Sequence, residues 1–230
     1  MSKVFLGVGH GGSDPGAVGN NGFKEKDLNL DIALACNDEL VRHGVTVLMS
    51  RTKDENDSLQ EEINECNAFN PDLAVDIHNN AGGGDGAEAF YHYKGGKSKD
   101  LANNILCEIE SIGQNSRGAK IKQGSDGRDY YGFIRKTNAP AVIVECAFVD
   151  NANDITIIDT LSERKEMGKA IAKGILKTLG INYKAEPPQD TADQKTLYRV
   201  QVGAYSVRAN AEKMKDELVS KGYSAIIVKG

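Results

Sequence analysis

Four side chains far apart in the chain have the types that metal-assisted hydrolysis needs: His10, Glu25, His78 and Glu145. Two imidazoles and a carboxylate suit a catalytic zinc ion, because three protein ligands leave the fourth tetrahedral position for water or substrate. Zinc held in this way lowers the pKa of water to about 7 and polarises a carbonyl, which leaves the protein to supply a proton shuttle. Glu145 is the candidate. It sits inside Ala-Val-Ile-Val-Glu-Cys-Ala-Phe, where a carboxylate is costly to bury unless it is paired or functional. It would take the proton of the attacking water and pass it to the departing amine.

Taken singly, each residue also has a plainer reading. His10 is then a loop histidine, His78 a strand-end residue hydrogen-bonded to Asn79 or Asn80, and Glu25 a first-turn carboxylate favoured by the helix dipole. Other polar residues compete for roles. His43 falls at a helix C-terminus, where an imidazolium is favourable without any metal. His92, between Tyr91 and Tyr93, reads as a rim residue. Glu88 shares its strand face with His92 and is the second choice for the base. Glu145 and Glu88 could also be cast as the carboxylate pair of a glycoside hydrolase, but that chemistry does not call for paired histidines. Gly7-Val8-Gly9-His10-Gly11-Gly12 has the spacing of a dinucleotide fingerprint. The helix that should open at those glycines is delayed to about Lys24, so no helix N-terminus would face a phosphate.

These residues must be positioned by strands and helices. Lys3 to Gly9 reads as a strand running into a glycine-rich loop, residues 11–22, and Leu28, Ile32, Cys36 and Leu40 give helical spacing over 24–43 before Gly44. Val45 to Met49 reads as a strand, Asp57 to Phe69 as a helix, and Leu73 to Ile77 as a strand entered through Asn70-Pro71. That β-α-β-α-β order implies parallel strands. A strand over 86–93, a helix over 98–112, a loop rich in Gly and Arg, and a buried strand over 141–146 follow. A closing helix carries Thr160 and Glu163 as a capping box and ends at Gly180. In open parallel sheets, ligands collect beyond the carboxyl ends of strands, which is where His10 and His78 fall.

The chain has 230 residues, 40% hydrophobic and 27% charged, enough for one full core and a smaller module. The expected division is a catalytic domain over 1–181, a linker over 182–196 containing Pro187-Pro188, and a β-α-β module over 197–230. A net charge of −5 argues against nucleic acid as the main partner. The N-terminal apolar run is too short for a signal-peptide core or a membrane span, so the expectation is a chain made in the cytoplasm without membrane insertion. Cys36, Cys66, Cys107 and Cys146 lie singly in apolar or helical patterns, without a CxxC pair, and read as reduced core thiols.

Four ordered motifs across residues 3–180 resemble the zinc-dependent N-acetylmuramoyl-L-alanine amidases of bacterial autolysins and phage endolysins. They are Gly9-His10-Gly11-Gly12-Ser13-Asp14-Pro15-Gly16-Ala17, Lys24-Glu25-Lys26-Asp27-Leu28-Asn29-Leu30, Asp76-Ile77-His78-Asn79-Asn80-Ala81 and Val144-Glu145-Cys146-Ala147-Phe148-Val149-Asp150-Asn151. The resemblance implies Zn2+ on His10, Glu25 and His78, with Glu145 as the catalytic residue. It also implies a twisted, mostly parallel mixed α/β sheet flanked by helices, and peptidoglycan as substrate, cut at the amide between N-acetylmuramic acid and L-alanine. Without a signal peptide, such an enzyme reaches the wall through lysis or a pore. One departure stands out: Glu62 occupies the place where the family usually shows an arginine before Asn67, which puts a basic contact from that helix in question.

Leu197-Tyr198-Arg199-Val200-Gln201-Val202-Gly203-Ala204-Tyr205-Ser206, with Ala211 and Gly222-Tyr223 after it, resembles the first half of a sporulation-related (SPOR) repeat, which binds glycan strands. A lone β-α-β leaves half a sheet and core unpaired. Two chains are therefore expected to pair their halves as a homodimer.

Overall fold

Lys3–Val8 forms β1, and its apolar residues alternate between two cores: Val4, Leu6 and Val8 enter one cluster while Phe5 enters another. This two-sided burial marks a central strand of a sheet covered on both faces. The computed structural model describes residues 1–19, 22–185, 201–223 and 225–227, which divide into two compact units at Lys184/Ala185.

In the first unit, β1 is followed by α1 (Glu25–Arg42), β2 (Thr46–Met49), α2 (Leu59–Phe69) and β3 (Leu73–Asn80). Next come β4 (Ala87–Tyr91), α3 (Lys97–Ser111), β5 (Ser116–Lys120), α4 (Gly132–Lys136), β6 (Ala141–Phe148), α5 (Ala152–Ile155) and α6 (Leu161–Leu179). The six strands run in the order β2-β1-β3-β6-β4-β5. All neighbouring pairs are parallel except β4–β6, so the sheet is mixed, as the family resemblance implied.

The capping box at Thr160 and Glu163 is formed, and Gly180 closes α6 in the left-handed conformation. Another box, Ser58 with Glu61, opens α2. Helix α6 packs on α1 and α3 over the larger cluster, and Gly168 lets it approach closely, since a Cβ there would lie 2.4 Å from the Ile32 carbonyl oxygen. The opposite face is only partly covered: Phe5, Ala74, Ile143 and Phe90 lie beneath residues of α2 and α4. The site occupies the rest of that face.

Three differences from the sequence reading have physical causes. The stretch read as one Gly- and Arg-rich loop contains β5 and α4, both five residues long and too short for a periodic signal. Strand β3 runs on to Asn80, because its polar end pairs with β6 instead of turning into solvent. Cys107 is exposed on α3, whereas the other three cysteines are buried core thiols as expected.

In the second unit, α7 (Arg208–Ser220) matches the expected helix and buries none of its side chains among the described residues. Residues 201–205 and 225–227 carry no strand ladder among the described residues; the rest of the two expected strands, 197–200 and 228, and most of the expected linker lie outside them. Among the described residues no helix is long and apolar enough to cross a membrane.

Candidate metal centre

His10 leaves the end of β1 with φ 62°, a left-handed conformation uncommon for a residue with a side chain and the kind of outlier that clusters at functional sites. Glu25 opens α1, and His78 lies on β3. The structure brings one ligand atom from each to within 4.8 Å of the others. His10 Nε2 lies 3.2 Å from Glu25 Oε2, and His78 Nδ1 donates to Glu25 Oε1 at 3.0 Å. The two rings meet edge to face at 5.2 Å. Gly9 makes room for this, because a Cβ there would lie 2.2 Å from the His78 ring.

Each imidazole turns its other nitrogen to a second carboxylate: His10 Nδ1 to Asp14 Oδ2 at 2.8 Å and His78 Nε2 to Asp76 Oδ2 at 3.2 Å. The partners of His78 are thus Glu25 and Asp76, not the asparagines of its plainer reading. Asn79 instead gives its backbone N–H to Glu25 Oε1, and the Ala17 N–H goes to Glu25 Oε2. A hydrogen bond to Glu25, opposed by burial, raises the His10 pKa above the usual imidazole value. At His78, burial is outweighed by Asp76 and Glu25, and the pKa rises well above that value. Burial works against ionised Glu25, but hydrogen bonds from His10 and His78 overcome it and hold the carboxyl far below its ordinary range.

Arg51, only 2% exposed, ties together the segments that carry His10 and Glu25. It donates to the carbonyls of Val8 (3.0 Å), Gly9 (3.3 Å), Lys26 (2.7 Å) and Lys53 (3.2 Å), clamping the end of β1 to the start of α1. Sequence reasoning missed this role, since nothing local marks a lone arginine after β2 as buried. Asp14 and Asp76 were legible only as members of motifs. The signal for Asp76 was available in the period of two, which puts it on the same strand face as His78.

Glu145 is the cross-strand partner of His78 in the β3–β6 ladder and of Glu88 in the β6–β4 ladder. The three therefore form a row on one sheet face. Burial pushes the Glu145 carboxyl up to about 7, with His78 opposing and the neighbouring carboxylates adding to the rise. Glu88 differs: Arg117 Nε donates to its Oε2 at 2.8 Å, Lys120 Nζ to the same oxygen at 2.5 Å, and Asn80 to Oε1 at 3.1 Å. Burial works against its charge, but the two cations win and keep the carboxyl below its ordinary value. Two carboxyls on one face with pKa values driven apart identify the one suited to proton transfer near neutrality, which is Glu145.

A cavity of about 280 Å³ opens beside the histidines, with Asp57, Glu62, Asp76, Tyr131 and Phe133 in its walls. Glu62 is buried, and burial together with the charge of Asp76 raises its pKa well above the ordinary value. No basic group comes from that position of α2. The other two histidines lie elsewhere: His43 Nδ1 donates to the Glu39 carbonyl at the end of α1, and His92 Nε2 lies 3.2 Å from Asp129.

The profile of the N-acetylmuramoyl-L-alanine amidases matches residues 4–177, which includes every residue of this site. The chain belongs to that family. It is a peptidoglycan amidase. Over 99% of its length it is 33% identical to the sporulation-specific N-acetylmuramoyl-L-alanine amidase of Bacillus subtilis (strain 168), of which it covers 85%. Its fold is similar to that of Cwp6 from Clostridium difficile, with a TM-score of 0.76 and 38% identity over 77% of this chain, although that covers only 29% of Cwp6. The catalytic domain of CwlV, an N-acetylmuramoyl-L-alanine amidase from Bacillus (Paenibacillus) polymyxa var. colistinus, superposes with a TM-score of 0.72 at 26% identity, covering 79% of this amidase and all of that domain. A SPOR domain profile matches residues 170–229. Its first part overlaps α6, whose Ala170, Ile171 and Ile175 are buried in the core of the first unit.

Proposed function

We propose that this amidase is zinc-dependent and hydrolyses the amide between N-acetylmuramic acid and L-alanine, with His10, Glu25 and His78 as metal ligands and Glu145 as general base. The observation that carries the reading is the convergence of two imidazole nitrogens and a carboxylate, backed by Asp14 and Asp76. This donor set fits zinc: nitrogen and oxygen ligands, three in number, with each imidazole oriented by an outer carboxylate that fixes its tautomer.

Zinc supplies a Lewis acid for the scissile carbonyl and brings the pKa of the attacking water towards 7. The residues of the chain do the rest. Glu145, one strand from His78 and without a hydrogen bond among the described residues, accepts the proton of the water at its carboxylate. With its pKa near 7, it returns that proton to the alanine nitrogen as the C–N bond breaks. Asp14 and Asp76 hold the two imidazoles in the orientation that presents a lone pair to the metal. Glu88 is excluded from the base role by its two cations, and a glycosidase reading leaves the convergence of His10, Glu25 and His78 without a purpose.

Residues 1–181 would form the catalytic domain and 197–230 a half-length SPOR-like module that holds the enzyme on glycan strands. The exposure of Tyr205, Val207, Val219, Tyr223 and Ile226 supports pairing of two such modules, because an isolated half leaves apolar surface in water. Digestion of purified cell walls followed by mass spectrometry tests the reaction. New L-alanine amino termini that vanish on chelation and return with zinc are expected; new reducing ends, or hydrolysis that survives chelation, would overturn the reading.

A further inference from the structure

Beyond Glu88 on the same sheet face, the edge strand β5 carries two cations, Arg117 and Lys120. Their placement depends on an irregularity. Ala87 pairs with Ser116 but Ala89 with Ala119, so three steps along β5 match two along β4. Gly118, at φ 83°, supplies the extra residue in the left-handed conformation. Without that bulge, residues an odd number apart would point to opposite faces. With it, Arg117 and Lys120 both reach Glu88.

Arg117 is held in a particular way. Its Nε is committed to Glu88, and its guanidinium lies over the Phe148 ring at 5.1 Å. Its two terminal amino groups have no partner among the described residues, and the side chain is 38% exposed. A planar fork with one edge anchored, one face supported and two donors open suits a planar anion. The cluster also holds two positive charges against one carboxylate, so it has charge to spare.

The chemistry of the substrate narrows the ligand. The carboxyl group of muramic acid is consumed in the amide that is cut, which leaves the glycan side neutral there; free carboxylates lie on the stem peptide. Adjacent strands are about 5 Å apart and an extended peptide advances about 3.5 Å per residue. A group on the residue after alanine therefore comes within reach of a cation that leans back over Glu88, one strand from the base.

We infer that Arg117, backed by Lys120, forms a carboxylate subsite that reads the acidic residue following alanine in the stem peptide. The inference rests on the amidase reading of the site and deepens it. Glu88 is then the positioning residue that fixes the fork, and Phe148 its platform.

The test uses the full-length metal-loaded enzyme and two soluble muropeptides that differ only in whether the residue after alanine bears a carboxylate or a carboxamide. For the unmodified enzyme, kcat/KM is expected to favour the carboxylate by roughly tenfold to a hundredfold, the size of a hydrogen-bonded charge pair. Arg117→Gln collapses that ratio to near one, mainly through KM. Arg117→Lys, which keeps the charge beside Glu88 but lacks the fork, gives an intermediate ratio and guards against misfolding of the first variant. Binding of the released peptide, followed by NMR titration, weakens in the same order. A ratio near one in the unmodified enzyme, or an unchanged ratio in both variants, overturns the inference while leaving the amidase reading intact. Failure to release alanine from either muropeptide overturns both.

Discussion

Glu145 and Glu88 sit directly opposite each other in the antiparallel β6–β4 pair, yet their surroundings drive their protonation in opposite directions. Residues so paired are about 5 Å apart at the backbone, so the contrast comes from what lies on either side. Towards β3, Glu145 finds His78, a proposed metal ligand, and no hydrogen-bond donor among the described residues. Towards β5, Glu88 meets Arg117 and Lys120. One carboxyl is left to titrate near neutrality and the other is held ionised by two cations.

Glu145→Gln is expected to retain stoichiometric metal while kcat falls by roughly 10²–10⁴. Metal analysis beside turnover checks this, and loss of zinc from the variant would make Glu145 a ligand. Stability gives an independent signature in protein stripped of metal. The carboxyl keeps its proton up to about 7 in the folded state, whereas the unfolded chain releases it in the ordinary carboxylate range. Folding is therefore increasingly disfavoured as pH climbs through that window, and the penalty is complete above it. The variant should be more stable than the parent by on the order of 1–3 kcal/mol at pH 8, with no difference at pH 4. Denaturant unfolding at both pH values decides the point.

Removing a ligand should differ from removing its outer partner. His10→Ala, Glu25→Ala and His78→Ala are expected to lose bound zinc altogether. Asp14→Asn and Asp76→Asn should keep it with an affinity weakened by about 10–100-fold. Competition against a zinc-binding dye separates the two groups, and equal loss in both would show that the outer carboxylates are ligands.

Glu88→Gln tests the second carboxyl. It leaves Arg117 and Lys120 without their counter-charge, so KM for carboxylate-bearing muropeptides should change while the shape of the pH–kcat profile stays that of Glu145. Disappearance of the limb near neutral pH in this variant would transfer the base role to Glu88.

Arg51→Met keeps the length of the side chain but strips hydrogen bonds from the carbonyls of Val8, Gly9 and Lys26. Gly9 keeps a second donor, Asn29 Nδ2 at 2.9 Å, and the Lys26 carbonyl lies within α1, so the cost falls mainly on Val8 and a drop of about 1–3 kcal/mol is expected. A denaturation midpoint shifted by less than this would mean that water takes over the freed groups.

Ending the chain at Lys184 should leave cleavage of soluble muropeptides within a fewfold of the parent and remove retention on insoluble glycan. Sedimentation of the intact chain at micromolar concentration is expected to show a dimer, and of the shortened chain a monomer. A monomeric intact chain would refute pairing of the half modules.

Much of this was legible before any coordinates. Strong periodicity gave α1, α3 and α6 to within a few residues, and the Thr160–Glu163 box marked the start of the last. Of the four candidate site residues only Glu145 stood out by the cost of burying it amid Val and Ile; His10, Glu25 and His78 had plainer readings singly and were grouped by residue type and by the four ordered motifs. What stayed hidden was what depends on register. The antiparallel turn of β4 into the middle of a parallel sheet puts Glu88 beside Glu145, and no local pattern records which strand neighbours which. Strand β5 was lost because its bulge breaks the alternation that would have disclosed it. Arg51 was invisible for a similar reason: its partners are backbone carbonyls from two distant segments.

The proposed ligands come from the end of β1, the start of α1 and the end of β3. A bound cation would thus be a cross-link as well as a reagent, adding to the hydrogen bonds that Gly12 and Ser13 donate to Asp54 and Asn56. Removing the metal should then loosen the segment between His10 and Glu25 before anything else unfolds. An enzyme of this design, working where zinc is scarce and proteases are plentiful, would carry its own expiry: loss of the ion would mark that segment as the first place to be cut.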